Sequence, residues 1–259
     1  MSASSPENMN GKTAVVTGSS RGIGRAIARA LAEDGTHVLV HARKDKSGAE
    51  ETSAEICSAG NQSTIVLGDL ADGMSRAELV EQAWCWRGGV DVWVNNAGAD
   101  VLTGEAAGWP FDRKLEQLWN VDVTATIDLS RRVGARMKAR GGGVILNMGW
   151  DQADRGMAGD SGEMFAAVKG AVMAFTRSLA RSLAPQVRVN CLAPGWIRTA
   201  WGERASEDWQ QRAAGESLLQ RWGTPRDVAA VARFLASDQA SFINGQIIPI
   251  NGGFRTAGD

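Results

Sequence analysis

The sequence predicts an α/β protein with one open, parallel sheet that helices cover on both faces. Two observations lead to this fold class. Several short apolar runs are continuously apolar rather than alternating, as strands are when both of their faces are buried. These runs alternate with longer segments of helical character, the order expected of parallel strands and crossover helices. No linker or low-complexity tract interrupts the 259 residues, so we expect a single domain.

Seven runs are candidate strands. In chain order they cover residues 13–18, 37–42, 63–69, 90–96, 143–149, 187–193 and 246–250. The helical candidates between them are 24–34, 74–84, 111 to about 137, 163–184 and 225–237. The least regular stretch, 195–224, contains four of the ten tryptophans and is interpreted as a lid over a substrate site. We expect residues 1–10 to form a flexible N-terminus, 11–254 the domain, and 255–259 a C-terminal tail.

Composition and charge exclude several function classes. With 28 basic and 29 acidic residues, nothing favours nucleic acid or an anionic membrane as a partner. No apolar run approaches the ~18 to 20 residues that span a bilayer, and the first residues do not resemble a signal peptide. Cys57, Cys85 and Cys191 have no metal-ligand or disulfide spacing, which indicates free thiols in a reducing cytoplasm. His37 and His41 share one strand face, and no further ligands accompany them, so no metal site is expected.

A glycine-rich segment follows the first strand and opens the first helix. It runs from Thr17 through TGSSRGIG and contains Gly18, Ser20, Arg21, Gly22, Ile23 and Gly24. Glycines let the backbone approach a pyrophosphate closely, and a helix N-terminus supplies N–H donors and a favourable dipole. The segment is therefore interpreted as a phosphate site. A tight strand–helix turn without a ligand is the alternative, because the spacing G-x-x-x-G-x-G is not the commonest dinucleotide fingerprint.

Further motifs stand where later strands end, which is where ligands bind in parallel sheets. Asp69-Leu70 follows the third strand, and NNAG, with Asn96, Ala97 and Gly98, follows the fourth. Together with TGSSRGIG, Pro194-Gly195 in NCLAPGWIRT and the closing Asn251-Gly252-Gly253, they match in order the pattern of the short-chain dehydrogenase/reductase family. The sequence resembles this family over about residues 11–254, most closely its β-ketoacyl-reductase-like branch.

The resemblance implies a Rossmann-type, doubly wound sheet of about seven strands, a nicotinamide cofactor, and a homotetramer or homodimer. It assigns cofactor binding to the glycine segment, the strand ends and the residues after the sixth strand, namely Gly18, Ser20, Arg21, Gly22, Ile23, Gly24, Arg43, Asp69, Leu70, Asn96, Ala97, Gly98, Lys169, Pro194, Gly195, Ile197 and Thr199.

The residues after the second strand bear on the choice between NAD and NADP. An acid at this point would bond the ribose 2′-hydroxyl of NAD, whereas arginine suits the 2′-phosphate of NADP. The strand is followed by Arg43 and Lys44, the first acid is Asp45, and Arg21 adds a cation from the glycine segment. We therefore expect NADP. The alternative for Arg43 and Lys44 is a solvated surface pair.

At the catalytic positions the sequence departs from the family pattern. The family uses a tyrosine, a lysine four residues later, a serine after the fifth strand and an asparagine in an earlier helix. Lys169 matches the lysine, but Phe165 stands in the tyrosine position, and the whole chain has no tyrosine. Gly149 and Trp150 occupy the serine positions, and Asp122 the asparagine position.

Phenylalanine has no proton to transfer, and the indole of Trp150 donates only through its N–H. Asp122 is expected to pair with Lys169 and orient the ribose, or to act as a carboxylic acid with a shifted pKa. The alternatives are an Asp122 that only bonds the backbone and a Lys169 that lies on a surface.

Three functions are consistent with this pattern. The first is an NADP-dependent oxidoreductase that transfers hydride to or from a C–N substrate, iminium-, pterin- or folate-like, without a tyrosine proton relay. Trp150, Trp196 and Trp201 would then line the substrate mouth, although packing within the lid explains them equally well. The second is a non-catalytic NADP-binding sensor or inactive oligomer partner. The third is a lyase or isomerase that uses the carboxylates and keeps the nucleotide as a fixture.

Overall fold

A seven-stranded parallel sheet forms the centre of the protein, in the order β3-β2-β1-β4-β5-β6-β7. The computed structural model describes residues 9–199, 202 and 205–254. Residues 1–8 of the predicted N-terminus, Trp201, and the predicted C-terminal tail lie outside the described residues. The strands are β1 (Thr13–Val16), β2 (His37–Ala42), β3 (Ser63–Leu67), β4 (Val92–Asn95), β5 (Gly143–Met148), β6 (Val187–Pro194) and β7 (Ile247–Ile250). The predicted fold class, a doubly wound Rossmann-type sheet, is confirmed.

Helices cover both faces of the sheet. They are α1 (Gly22–Ala32), α2 (Lys46–Ser58), α3 (Gly73–Arg87), α4 (Phe111–Leu118), α5 (Ala125–Arg140), α6 (Asp160–Leu183), α7 (Glu207–Gly215) and α8 (Pro225–Ala236). Helices α1, α2 and α8 supply one apolar core, and α3, α5 and α6 supply the other. Strand β1 alternates between them, since Val16 lies in the first core and Val15 in the second. This burial on both faces explains why the strands are continuously apolar.

The structure differs from the predicted elements in three places. The single helix predicted from residue 111 is divided by a π-helical turn, Trp119–Thr124, that joins α4 to α5. Apolar periodicity could not show this turn, because a π-helical turn shifts the register by a single residue. Helix α2 was not among the predicted helices. The stretch 195–224 is more regular than expected, because it contains α7, whose first turn the Ser206 hydroxyl caps.

The parallel arrangement gathers the functional motifs at one edge of the sheet. The sheet order reverses between β1 and β4, since β1 to β3 extend to one side and β4 to β7 to the other. A crevice forms at the carboxyl ends of the strands at such a reversal. The glycine segment leaves β1, the NNAG segment leaves β4, and Gly149 and Gly195 follow β5 and β6 at the same edge.

Candidate active site

The glycine segment after β1 is shaped by its glycines. Gly18 and Gly22 have φ angles of +63° and +58°, which side chains adopt only with strain. A Cβ on Gly24 would collide with the Gly18 carbonyl oxygen and lie 2.5 Å from Nδ2 of Asn96. The tight path of the segment therefore requires glycine at these positions.

Asn96 and Ala97 lock the NNAG segment to the glycine segment. The side-chain amide of Asn96 donates to the carbonyl oxygens of Thr17 (2.9 Å) and Gly18 (3.1 Å). In return, the Thr17 hydroxyl accepts the backbone N–H groups of Asn96 and Ala97, both at 3.0 Å. The switch point between β1 and β4 is therefore rigid without a ligand. Thr17 was not among the predicted site residues, although its position directly before Gly18 could have indicated it.

The N-terminus of α1 has the properties of an anion site. Its N-cap residue, Arg21, gives no side-chain hydrogen bond to the helix, and the first turn has no acid. By contrast, Asp45 caps α2 and Asp72 caps α3. The Thr199 methyl group lies 3.9 Å from a Cβ placed on Gly22, so the segment after β6 faces this helix end. Backbone N–H groups that no side chain caps fit a phosphate group at this point.

His41 supports the glycine segment from below. Its Nδ1 accepts the Gly18 N–H at 3.2 Å, and its Nε2 lies 3.1 Å from the Gly68 carbonyl oxygen, to which it donates. Burial is the main reason that the pKa of His41 falls from 6.5 to about 4; the Gly68 hydrogen bond and the charge of Asp69 oppose this change only in part. The imidazole is therefore neutral at pH 7. The sequence analysis considered His41 only as a possible metal ligand and gave no sign of this supporting role.

We expect the free energy of unfolding to fall as the pH drops from about 6.5 to about 4. Over this range His41 binds a proton in the unfolded chain but stays neutral in the folded protein. Over this interval His41 should contribute roughly 3 kcal/mol to the pH dependence. Urea unfolding of His41→Gln across this range should show a flatter pH profile. His37→Gln is the matched control, because His37 is more exposed, and it should keep most of the dependence. An unchanged profile in His41→Gln would contradict this account.

The side of the site formed by the residues that follow β2 is more exposed to solvent. Arg43, Lys44 and Asp45 are exposed after β2. The pKa of Asp45 is lowered, first by a hydrogen bond from the Gly48 N–H and then by the Ser20 hydroxyl, with the charges of Arg21 and Arg25 adding to the effect. Asp45 is thus held by the start of α2.

After β3, Asp69 accepts the Ala71 N–H at 3.0 Å and caps its own turn. Leu70 is buried, and its carbonyl oxygen accepts a hydrogen bond from Arg76. These residues shape the wall of the crevice beside β1.

Lys169 and Asp122 form an ion pair inside the site. Nζ of Lys169 lies 2.7 Å from Oδ1 of Asp122, and the two side chains are only 12% and 2% exposed. Nζ also lies 3.3 Å from the carbonyl oxygen of Met148, and Oδ2 of Asp122 accepts the Ala99 N–H at 2.9 Å. The structure thus places Lys169 inside the protein rather than on a surface. Asp122 pairs with the lysine and also accepts a backbone N–H, so the alternative in which it bonds only the backbone is wrong.

Two neighbouring features position Asp122. It lies in the π-helical turn between α4 and α5, and such turns occur often at functional sites. A Cβ on Gly98 would lie 2.8 Å from Oδ1 of Asp122, so glycine at this position makes room for the carboxylate. Gly98, predicted to contact a cofactor, therefore also serves the ion pair.

Phe165 and Trp150 pack against each other next to this pair. Their ring centroids are 6.3 Å apart in an edge-to-face arrangement. Phe165 precedes Lys169 by one helical turn of α6, so both lie on one face of that helix. Gly149 cannot carry a side chain without a shift, because a Cβ would lie 2.8 Å from Sγ of Cys191 and 2.9 Å from Cγ of Met173. Trp150 is thus the side chain after β5 that reaches the site.

A buried polar network lies next to the candidate active site, between the ends of β4 and β5 and the helices α5 and α6. Nδ2 of Asn95 donates to Oγ of Ser130 and Oδ1 of Asn147, both at 2.8 Å. Asn147 donates in turn to the hydroxyl of Thr176 at 2.9 Å, and the indole of Trp93 donates to Asn95 at 2.8 Å. Such a satisfied network fixes β4 and β5 against α5 and α6. Polar residues within continuously apolar strands were the sequence signal for it.

The segment after β6 connects the sheet to the predicted lid. Pro194 ends β6, and the Gly195 N–H donates to the carbonyl oxygen of Ile250 at 3.0 Å. Ile197 is buried and pairs with Gly223.

Trp196 packs against two other aromatic rings of this stretch, Trp209 and Trp222, with ring centroids 5.2 and 6.2 Å away. This contact favours packing within the lid for Trp196. Trp201 lies outside the described residues.

The described residues contain neither a metal-ligand cluster nor a helix that could span a membrane. Within 9–199, 202 and 205–254, no group of three or more histidine, cysteine, aspartate or glutamate residues could hold a metal ion. Over those same ranges, no helix combines the length and apolar character needed to cross a membrane.

Comparisons with known proteins agree with this architecture. The family model described as enoyl-(acyl carrier protein) reductase matches residues 18–255. The chain is 36% identical to 3β-hydroxysteroid dehydrogenase 1 of Eggerthella lenta, over 95% of each chain. It is similar to the structure of a 3-oxoacyl (acyl-carrier-protein) reductase from Agrobacterium tumefaciens with NADP bound, with a TM-score of 0.85, 31% identity and 95% of both chains covered. A 7α-hydroxysteroid dehydrogenase complexed with NADH gives a TM-score of 0.88 at 29% identity, covering 97% of this chain and 98% of that one.

Proposed function

The chain belongs to the short-chain dehydrogenase/reductase family, and from this premise we propose that it is an NADP-dependent oxidoreductase with a non-standard active site. Its substrate would be a C–N compound, iminium-, pterin- or folate-like, whose hydride transfer needs no tyrosine proton relay. One combination of features carries the proposal. The glycine segment and the α1 N-terminus are shaped to hold a phosphate group, while Phe165 packs against Trp150 in the region of the Lys169–Asp122 pair.

The residues present fit a nicotinamide dinucleotide. The α1 N-terminus with no side-chain cap, Gly22 facing Thr199, and the rigid Asn96 anchor would hold the pyrophosphate and the adjoining ribose. Lys169 would bond the nicotinamide ribose, and Asp122 would keep the ammonium group in place. When bound, the dinucleotide supplies or accepts a hydride. Pro194, Gly195 and Ile197 would form the wall on the side of β6.

Cofactor choice must come from residues of this chain, because one structural neighbour holds NADP and another NADH. The first residue after β2 is Arg43, exposed and followed by Lys44, and Arg21 is exposed at the start of α1. Asp45, the nearest acid, is held against the Gly48 N–H at the start of α2. A 2′-phosphate is therefore favoured over a free 2′-hydroxyl.

We expect Arg43→Ala to weaken NADPH binding by roughly ten- to a hundredfold, the value of a lost charge-assisted hydrogen bond. NADH binding should change little, because that cofactor has no 2′-phosphate. Titrations followed by energy transfer from tryptophan to the reduced nicotinamide measure both affinities. Lys46→Ala is the control, because Lys46 is exposed nearby but faces Glu50. Equal losses for both cofactors would contradict the assignment.

The proton chemistry of alcohol–ketone exchange is poorly supported by this site. A carbonyl that is reduced needs an acid for the developing alkoxide, and Phe165 supplies none. Trp150 offers only an indole N–H, which is no practical acid near neutral pH. Reduction of an iminium carbon needs a hydride and no proton at the acceptor atom. Flat rings at Trp150 and Phe165 suit a planar, unsaturated substrate.

Turnover of a substrate panel tests the proposal. We expect NADPH consumption with cyclic iminium ions, or with dihydropterins whose C=N nitrogen is already protonated by the solvent, in rapid-mixing assays, and no consumption with ketones. Lys169→Ala should abolish the activity, whereas Lys138→Ala, at the far end of α5, should not. If NADPH binds but no imine or pterin is turned over, the chain is a non-catalytic NADP-binding protein. The non-catalytic function is favoured because, of the catalytic side chains that the family resemblance implies, three are replaced in this chain.

Self-association is a further proposal. The family resemblance implies a homotetramer or homodimer, and large apolar side chains are exposed at Trp119, Leu218, Leu219 and Phe242. Sedimentation velocity would distinguish the assemblies from a monomer.

A further inference from the structure

The start of α2 packs against the glycine segment, close to where the chain leaves β2. The guanidinium of Arg25 donates to the carbonyl oxygen of Ser20 at 2.6 Å and to that of Gly48 at 3.1 Å. The hydroxyl of Thr52 donates to the carbonyl oxygens of Ser19 (3.0 Å) and Gly48 (2.9 Å). Two side chains therefore tie the first turn of α2 to the glycine segment, and the backbone of this turn has little freedom to move away.

Two exposed cations and one carboxylate belong to this junction. Arg21 lies in the glycine segment, Arg43 follows β2, and Asp45 comes two residues after Arg43. Within the part of the chain that the structure describes, neither guanidinium has a carboxylate at ion-pair distance. Asp45 is thus the nearest acid along the chain to Arg43, and yet the two residues are not paired.

The carboxylate of Asp45 caps α2 instead. Its Oδ1 accepts the Gly48 N–H at 3.1 Å. This hydrogen bond and then the Ser20 hydroxyl lower the pKa of Asp45, and the charge of Arg21 adds to the effect. A carboxylate at a helix N-terminus also interacts favourably with the helix dipole. Asp45 is therefore ionised at neutral pH and engaged by α2 rather than by the two cations.

Gly48 leaves the space that this carboxylate occupies. A Cβ on Gly48 would collide with Oδ2 of Asp45 and lie 2.8 Å from the carbonyl oxygen of Ser20. The φ of Gly48 is not positive and the residue lies within a helix, where alanine is normally preferred. The close contacts, and not the backbone conformation, therefore require glycine here. Because Arg25 and Thr52 hold the backbone, a side chain at this position would displace mainly the flexible carboxylate.

A displaced carboxylate would compete for the cations. Released from Gly48, Asp45 would pair with Arg43 or Arg21, the residues that the proposed function assigns to the 2′-phosphate. Its charge would also repel that phosphate, whereas the 2′-hydroxyl of NADH would find an acceptor in it.

We propose that Gly48 is a specificity-determining residue for the cofactor. It lets the Asp45 carboxylate cap α2 and so leaves Arg21 and Arg43 available to the 2′-phosphate of NADP. The inference rests on the proposed function and deepens it, because it names what keeps the acid after Arg43 away from the phosphate. Gly48 and Asp45 are positioning residues in this account, and neither touches the cofactor.

The ratio of the dissociation constant of NADH to that of NADPH tests this role. Both constants are measured on the full chain by energy transfer from tryptophan to the reduced nicotinamide. We expect Gly48→Ala to lower the ratio at least roughly tenfold, mainly through weaker NADPH binding, which is the effect of losing one charge-assisted hydrogen bond. An unchanged ratio in a folded Gly48→Ala variant would overturn the proposal.

A second substitution separates the carboxylate from any strain that the new methyl group causes. Serine still caps a helix but carries no charge, so the ratio in Gly48→Ala/Asp45→Ser should return to that of Asp45→Ser. Asp45→Ser alone should change the ratio by less than roughly threefold, because an exposed charge engaged elsewhere contributes little. A ratio that stays low in the double variant would assign the effect to strain. A large rise in Asp45→Ser would show that the carboxylate already faces the phosphate, and either result contradicts the proposal.

Two further variants complete the test. Ser47→Ala changes the neighbouring, exposed residue of the same helical turn and should leave the ratio unchanged. Asp45→Glu introduces no group at Gly48, but glutamate is not a preferred N-cap residue, so its carboxylate should reach the cations and lower the ratio. If Gly48→Ala does not fold, Asp45→Glu and Asp45→Ser still decide, since equal ratios in these two variants refute the proposal.

The two proposals fail in different ways. Preference of the unaltered protein for NADH overturns the cofactor choice of the proposed function, and this inference with it. Preference for NADPH with the same ratio in Gly48→Ala overturns this inference alone. Absence of imine turnover contradicts only the proposed function, because the ratio is a binding measurement.

Discussion

Replacing Phe165 by tyrosine and Trp150 by serine should give the protein ketone reductase activity with NADPH. The two rings contact each other edge to face, and Phe165 stands one helical turn before Lys169, so we expect the new side chains to place their hydroxyl groups near the lysine. Tyrosine in place of Phe165 restores a proton donor one helical turn before a lysine. A general acid contributes roughly 10²- to 10⁴-fold in rate, so an activity near background should become easily measurable. NADPH consumption with aryl and cyclic ketones is the assay.

The single variant Trp150→Ser and a remote substitution serve as controls. Trp150→Ser alone should remain inactive with ketones, because it adds no acid that can replace the tyrosine. Phe175→Tyr places a phenol on the same helix α6 but away from Lys169, and it should also remain inactive. A double variant that folds, binds NADPH and turns over no ketone would contradict the placement of the site.

Lys169→Met should lower the free energy of unfolding by about 3–5 kcal/mol, the cost of leaving a buried charge without its partner. Asp122 is 2% exposed and, among the residues that the structure describes, would keep only the Ala99 N–H as a donor. Binding of the nicotinamide cofactor should weaken as well, because Lys169 is the proposed ribose anchor. Urea unfolding monitored by circular dichroism gives the first quantity, and an NADPH titration gives the second.

Removing both charges should separate the two effects. The double variant Lys169→Met/Asp122→Asn should recover much of the lost stability, because no buried charge remains and an amide oxygen can still accept the Ala99 N–H. It should not recover NADPH affinity. Lys46→Met removes a similar lysine from an exposed pair with Glu50 and should change stability little. Equal stability of Lys169→Met and the unaltered protein would show that the ion pair has no structural importance.

Local pattern was sufficient for the sheet and for the conformation of the glycine segment. Each strand is an uninterrupted apolar run because helices bury both faces of the sheet. This pattern is recognised from residues that are adjacent in the sequence. Gly18 and Gly22 are required by their positive φ angles and Gly24 by its close approach to the Gly18 carbonyl oxygen, so the spacing within one short segment indicates them. The π-helical turn before α5 was missed for the opposite reason, since apolar periodicity averages over several turns.

Contacts between distant segments had to come from the tertiary structure. Asp122 and Asp151 both lie near the carboxyl-end edge of the sheet, but the family resemblance singles out only Asp122, by placing it at the asparagine position. Folding brings Lys169 to Asp122, whereas Asp151 accepts the side-chain N–H of Asn251, a partner that lies far away in the sequence. His41 likewise accepts the Gly18 N–H only because β1 pairs with β2 in the folded protein.

The sequence by itself therefore determined the fold class, the family resemblance and the lack of any tyrosine. The tertiary structure decided which charged side chains are buried and which distant partners, such as Asn251 for Asp151, they contact. The physical reason is that backbone conformation and apolar burial follow from short-range pattern, whereas electrostatic state depends on partners that lie far apart along the chain.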